Sequence, residues 1–275
     1  MTYILQSYDD ALSYILKNGV RKSNRTGVDT LSVFGYLARY DISEFFPVLT
    51  KRKMFPKSIF AELLWILSGS SNVNDLEKMG SKIWTPWRNK EFETDRLLRD
   101  GELGRIYGKQ LREFGLGGFD QLLYLVEQIK IFPESRRLLI SYWNPEDVAH
   151  NRSRLPPCHV LYQVSIHDGK LSGMLTQRSA DFPVGVPANI QFYSALTCLL
   201  AAQCGYEPGE LVHSTADSHI YVNQIEAVEE YLSRPEIDSP KLVLGEAPSI
   251  TEYKLEDFNL IDYNPGEKIK MEVVV

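Results

Sequence analysis

The chain has only three cysteines, Cys158, Cys198 and Cys204, in 275 residues. So few, so irregularly spaced, exclude a disulfide framework and a cysteine-rich zinc site, and point to free thiols in a reducing compartment. Positive charge is also scarce: 30 Lys and Arg against 36 Asp and Glu leave a formal net charge of −6. A surface of that sign does not blanket nucleic acid or an anionic membrane, so any phosphate site must be a local pocket. Long apolar runs are missing. The first twenty residues mix Asp9 and Asp10 into an apolar helical pattern and lack the basic start of a signal peptide. Repeats, low-complexity tracts and Gly/Ser linkers are missing too, with Gly and Pro occurring singly at element ends. The expectation is a cytoplasmic, single-domain protein over residues 1–275, with no membrane span.

What is present is an ordinary core-forming composition, 44% hydrophobic and 24% charged. Helical periodicity predicts helices over residues 3–17, in SIFAELLWILSG with Gly69 as a stop, in FDQLLYLVEQIKIF, in NIQFYSALTCLLAAQCG, and over residues 219–232. RRLLISYW reads as a strand, and HVLYQVSIHDGKLSGMLTQRS as a hairpin about the Asp168-Gly169 turn. Simple alternation puts Val160, Tyr162, Val164 and Ile166 on one face and His159, Leu161 and Gln163 on the other. The last third adds shorter strands and loops. The class is α+β, a mostly antiparallel or mixed sheet packed with helices.

Several residues stand out chemically. Cys198 and Cys204 lie in an apolar helix and read as small buried hydrophobes. Cys158 instead leads a strand in RLPPCHVLYQV, behind a rigid Pro-Pro, and is either another buried thiol or a nucleophile. A thiolate needs positive potential, for which Arg25, Arg136, Arg137 and Arg178 are the candidates; each is alternatively a solvated surface charge. Arg136 and Arg137 open a strand and Arg178 closes one, places from which forked guanidiniums clamp phosphate well. Glu62 is a lone carboxylate in a nearly all-apolar helix, so it is either a satisfied structural acid or a proton-relay group with a burial-raised pKa. In DSHIY, Asp217 or Ser218 reads as a helix N-cap, and Asn189 after GVPA as a first-turn hydrogen-bonding residue.

The order and spacing of these residues resemble thymidylate synthase. The matching segments are NRTGVDTLSVFG, SIFAELLWILSGSSNVNDL, GRIYGKQLR, PESRRLLISYWNP, LPPCHVLYQ, GKLSGMLTQRSADFPVGVPANI, DSHIYVNQ and IKMEVVV, running from residue 24 to residue 275. The resemblance implies reductive methylation of dUMP at C5, with 5,10-methylenetetrahydrofolate as one-carbon and hydride donor and no metal or nicotinamide. It makes Cys158 the thiolate that adds to uracil C6, with Arg178 beside it. Arg25, Arg178, Ser179 and Ala180 would serve the nucleotide, with Arg136 and Arg137 donated from the other subunit of a homodimer built on one sheet face. Asn189 would read the base, and His219 and Tyr221 the ribose. Glu62, Tyr107 and His159 would serve proton transfer and the pocket around it. Asp181 would face both nucleotide and pterin. Trp84, Gly185, Arg52 and Val274 would meet the folate, and Val275 would close over it.

The chain departs from the family pattern at Thr85 and Pro86 in WTPW, at Ala188 where a phenylalanine is usual, and at Val274. Arg52 stands where lysine is frequent, and Phe55 where some members carry histidine. All of these bear on the folate side, where Phe182 or Phe192 could fill the space beside Ala188. Two other readings compete. One is a deoxyuridylate or deoxycytidylate hydroxymethylase, in which water captures the methylene; the other is a catalytically silent nucleotide binder. Asn189 favours uracil, and the presence of Cys158, Glu62 and Arg178 favours an enzyme.

Overall fold

A computed structural model describes residues 7–88, 100–153 and 155–274. Helix α1 (Tyr8–Asn18) opens on a reciprocal cap between Ser7 and Asp10 and buries Tyr8, Ala11, Leu12 and Ile15, one stripe at helical spacing. Strands β1 (Val20–Lys22) and β2 (Thr30–Asp41) follow. Helix α2 (Pro56–Leu67) starts on a proline that needs no N–H partner and stops before Gly69, whose φ of 80° no branched residue would tolerate. Short helices α3 (Val73–Lys78) and α4 (Tyr107–Arg112) precede α5 (Gln121–Ile131), strand β3 (Leu139–Ser141) and α6 (Pro145–Ala149). The predicted hairpin is present as β4 (His159–His167) and β5 (Lys170–Asp181), with Asp168 and Gly169 at φ of 50° and 76°. Then come α7 (Gly185–Cys204), β6 (Glu207–Tyr221), α8 (Ile225–Ser233), β7 (Lys241–Leu244) and β8 (Phe258–Ile261).

The main sheet runs β1-β2-β6-β5-β4-β3, antiparallel except for the parallel pair β5–β6, which α7 connects and packs against; β7 and β8 form a separate ribbon. The molecule is thus a single α+β domain with a mixed six-stranded sheet. Buried along most of its length, α7 is its central helix. Among the described residues no helix is long and apolar enough to cross a membrane.

Two sequence expectations are corrected. The helix predicted over 219–232 begins only at Ile225, because residues 219–221 complete β6, held by β2 on one side (Thr30 opposite Tyr221, Ser32 opposite His219) and by β5 on the other (Asp181 opposite His219). Asp217 and Ser218 are therefore strand residues and cap nothing. The alternation assigned to β4 also fails at its start. His159 faces Gln177 but Leu161 faces Thr176, so Val160 is an extra residue, a β-bulge. The bulge turns His159 inward, where its ring lies 5.1 Å from that of Tyr193, itself 5.2 Å from that of Tyr162.

The sheet face away from α7 carries two rows in register. One is Arg39, Val212, Met174, Gln163, Leu139; the other is Leu37, Ser214, Thr176, Leu161, Ser141. Leu37, Leu139 and Met174 are exposed there.

Candidate active site

A cavity of about 270 Å³ opens where β5 and β6 end, where β4 begins and where α7 starts. An adjoining lobe of about 360 Å³ shares Arg25, Leu155, Cys158, Ser179, His219 and Tyr221 with it and adds Arg178 and Asp217. Ligand sites beyond the ends of parallel strands are a general outcome of this topology.

Cys158 and Arg178 meet at the end of the β4–β5 ladder, where the Arg178 N–H donates to the Cys158 carbonyl at 2.9 Å. The Arg178 side chain is held by the proline carbonyls: Nε donates to Pro157 O and Nη2 to Pro156 O, both at 2.8 Å. That leaves Nη2 3.8 Å from Cys158 Sγ. The guanidinium also lies 5.5 Å from the centre of the Trp143 ring. The Cys158 N–H donates to Tyr107 Oη at 2.9 Å. Burial pushes the Cys158 thiol up, and Arg178 and Arg25 pull it back only in part. Cys158 therefore rests as a thiol.

Glu62 lines the same cavity on α2. Burial raises its pKa to about 7, against the opposing pull of Trp84, whose Nε1 donates to Glu62 Oε1 at 2.5 Å. A carboxyl poised there holds and releases a proton at neutral pH. Tyr107, between Cys158 and Trp84, is kept a phenol by burial, its pKa well above the ordinary value. Burial drives His159 the other way, down to about 4, so its imidazole is neutral.

Asn189, in the first turns of α7, faces the cavity and accepts a hydrogen bond at Oδ1 from Gln177 Nε2 at 3.1 Å. On β6, His219 Nδ1 donates to Asp217 Oδ1 at 3.0 Å, and Ser32 Oγ donates to the same oxygen at 2.9 Å. The His219 bond, assisted by Ser32, holds Asp217 down at about 2. Asp217, read from sequence as a cap, is thus the group that fixes the His219 tautomer, leaving Nε2 for a ligand.

A thiol beside an arginine, a carboxyl poised near neutrality and a primary amide thus meet at one cavity. The thymidylate synthase family profile matches residues 6–275. The chain belongs to the thymidylate synthase family. It is 45% identical over 283 residues to a thymidylate synthase of Francisella philomiragia, covering 98% of this chain and 100% of the relative. It is 44% identical over 283 residues to one of Francisella tularensis subsp. holarctica and 40% identical over 316 residues to one of Listeria monocytogenes, with the same coverage.

Thymidylate synthase residues expected at the cavity divide into three groups. Arg25, Glu62, Trp84, Tyr107, Cys158, His159, Ser179, Asp181, Gly185, Asn189, His219, Tyr221 and Val274 line it, and Arg178 lines the adjoining lobe. Arg52, Ala180, Arg136 and Arg137 line neither lobe. Arg52 is buried with its guanidinium on the Pro183 carbonyl, and Ala180 is buried; the carbonyl of Arg136 accepts from Gln163 Nε2 at 3.3 Å on the β3 side of the sheet. Val275 lies outside the described residues. Phe182 and Phe192, expected beside Ala188, are spent in the core, the first against Tyr8 and Tyr36, the second against Tyr193 and His159. Phe55 is exposed. Thr85 donates to Glu77 Oε1 at 2.7 Å, and Arg88 donates to Glu77 Oε2 at 2.9 Å, a clasp that fixes the turn after Trp84.

The flat indoles of Trp84 and Trp87 and the apolar Val184, Val273 and Val274 beside Asp181 fit a folate. Burial raises Asp181 to about 6, while the Val184 N–H donates to its Oδ1 at 3.2 Å. Among the described residues no group of three or more His, Cys, Asp or Glu is arranged to hold a metal ion. Sequence reasoning passed over Leu155, Trp87 and Gln177 in the lining, and Asp217 as the partner of His219; strand parity on β5 and β6 is the signal that could have found Gln177 and Asp217.

Proposed function

We propose that this cavity is the working site of the chain, with dUMP in it and residues 1–275 acting as one catalytic domain. The enzyme methylates dUMP to dTMP; 5,10-methylenetetrahydrofolate supplies the one-carbon unit and the hydride and leaves as dihydrofolate. The observation that carries the site assignment is the Cys158–Arg178 pair opening onto the cavity that Glu62 and Asn189 also face. Arg25, Arg178 and Ser179 surround the lobe suited to phosphate. The Cys158 proton is released to solvent through the open cavity, and the thiolate, held by the Arg178 and Arg25 charges, adds to C6 as the C5–C6 electron pair moves toward O4. Asn189 offers an acceptor for the uracil N3 hydrogen and a donor for O4. Glu62 exchanges the proton at O4 as charge develops there. Asp181, Trp84, Gly185 and Val274 hold the folate, and the family assignment does not favour the hydroxymethylase alternative.

The chain acts as a cytoplasmic homodimer through the outer sheet face, with Arg136 and Arg137 completing the partner's phosphate site. The two in-register rows on that face, and a lining of the chain's own two lobes that includes neither arginine, support this reading. The test is incubation with dUMP and methylenetetrahydrofolate, following dihydrofolate by ultraviolet absorbance and the nucleotide by mass. Thymidylate with dihydrofolate is expected. Hydroxymethylated nucleotide with tetrahydrofolate released unoxidised would overturn the reading, as would failure of 5-fluoro-dUMP to form a covalent complex on Cys158.

A further inference from the structure

An asparagine amide flipped by 180° keeps its shape and exchanges its donor for its acceptor. At Asn189 that flip would turn the complement of uracil, an acceptor for N3–H and a donor for O4, into the complement of cytosine. Base choice therefore depends on what makes the flipped amide costly, and Asn189 alone does not supply that.

The hydrogen bonds behind Asn189 do. The amide of Gln177, buried on β5, has its nitrogen 2.8 Å from the backbone carbonyl of Ser179. A carbonyl only accepts, so it is the Gln177 nitrogen that faces it. The second hydrogen on that nitrogen points to Asn189 Oδ1 at 3.1 Å, which sets the Asn189 carbonyl in turn. The Gln177 oxygen lies 2.8 Å from His213 Nε2. That oxygen only accepts, so His213 must carry its proton on Nε2.

His213 is 2% exposed, on β6, and pairs across the sheet with Ala38 and Leu175. It lines neither lobe of the cavity. Burial, with His159 nearby, keeps its imidazole neutral down to about pH 3, so the ring donates at Nε2 throughout the working range.

We infer that His213 is a positioning residue for base choice: as a neutral Nε2–H donor it completes the chain His213–Gln177–Asn189 that makes the cytosine-reading flip of Asn189 costly. Removing the donor leaves the Gln177 oxygen buried and unpaired. Gln177 then gains by turning that oxygen elsewhere, and its share of the restraint on Asn189, which His159 also contacts, goes with it. The inference rests on Asn189 being the base reader.

The experiment compares kcat/KM for dUMP and dCMP in the full-length enzyme and in H213L, H213Q and N189D. H213L is expected to lower the dUMP-to-dCMP ratio by about tenfold or more, the worth of one buried hydrogen bond. In H213Q, whose amide can donate from a similar place, the ratio should return to within about threefold of wild type. Should H213L lower activity toward both nucleotides equally, or H213Q fail to rescue the ratio, His213 has no part in base choice. N189D separates the two readings: if its ratio is unchanged, Asn189 is not the reader, whereas a shifted ratio in N189D with none in H213L overturns the His213 inference alone. Should H213L not fold, nitrogen-15 NMR of the wild-type imidazole decides, since a proton on Nδ1 in place of Nε2 would overturn the inference.

Discussion

Trp84 and Glu62 are joined by a 2.5 Å hydrogen bond from the indole N–H to the carboxylate, so the tryptophan that walls the cavity also sets the acidity of the carboxyl facing it. In W84F the ring stays and the donor goes. Since that bond lowers the Glu62 pKa against burial, its loss moves the Glu62 limb of the pH–rate profile to higher pH. An unmoved limb, with substrate binding intact, would show that another group titrates there. E62Q should lose on the order of 10²-fold in kcat.

Glu62 also ties stability to pH. Its folded value of about 7 lies above the ordinary 4.5, so its favourable contribution is complete below pH 4.5 and disappears as pH rises through 7. The melting temperature of E62Q, measured relative to wild type, should therefore climb across that window. A difference independent of pH would contradict the burial-raised carboxyl.

C158S should fold normally yet lose on the order of 10³-fold or more of turnover, together with the covalent 5-fluoro-dUMP complex, because a hydroxyl held as Cys158 is held has no base to activate it. In the ligand-free enzyme, alkylation of Cys158 by iodoacetamide should be slow at neutral pH and speed up on the alkaline side, since burial keeps the thiol protonated. Fast alkylation at pH 7 would mean the arginines win over burial.

G173A tests the sheet behind the site. A Cβ there would press on the Tyr162 hydroxyl and stand 2.7 Å from Thr197 Oγ1, two groups that hydrogen-bond each other at 2.7 Å. The expected loss, measured by urea unfolding, is about 1–3 kcal/mol; no loss would mean the pair yields freely.

The hairpin, its turn and the buried central helix were legible because Asp-Gly and helical periodicity are local signals. The aim of His159 was not. Without the extra Val160 the turn would set Cys158 opposite Ser179, and with it Cys158 meets Arg178; no residue in HVLYQ announces that slip. The strand ending in DSHIY was taken for a helix start because what makes it a strand is pairing with β2 and β5, remote in sequence. Family position likewise says nothing about the Pro183 carbonyl that holds the Arg52 guanidinium. The burial of Cys158, too, depends on elements that sequence order does not bring together.

Mixing inactive R136A with inactive C158A should restore about a quarter of wild-type activity, since half the dimers are then hybrids and each hybrid carries one intact site. No recovery, with subunit exchange confirmed by mass, would mean each chain supplies its own arginines.

The two rows on the outer sheet face interleave Leu, Met and Val with Ser, Thr, Gln and Arg. Such a mixture of polar and apolar side chains suits the pairing of chains proposed above. If Arg136 and Arg137 work only across that seam, as proposed above, a lone chain is an unfinished catalyst. Initial rate in very dilute solution then rises with the square of chain concentration and becomes linear once pairing saturates. Halving the supply of chain in the dilute regime would then remove three quarters of the output, and the sheet face would make enzyme abundance a cooperative control on nucleotide production.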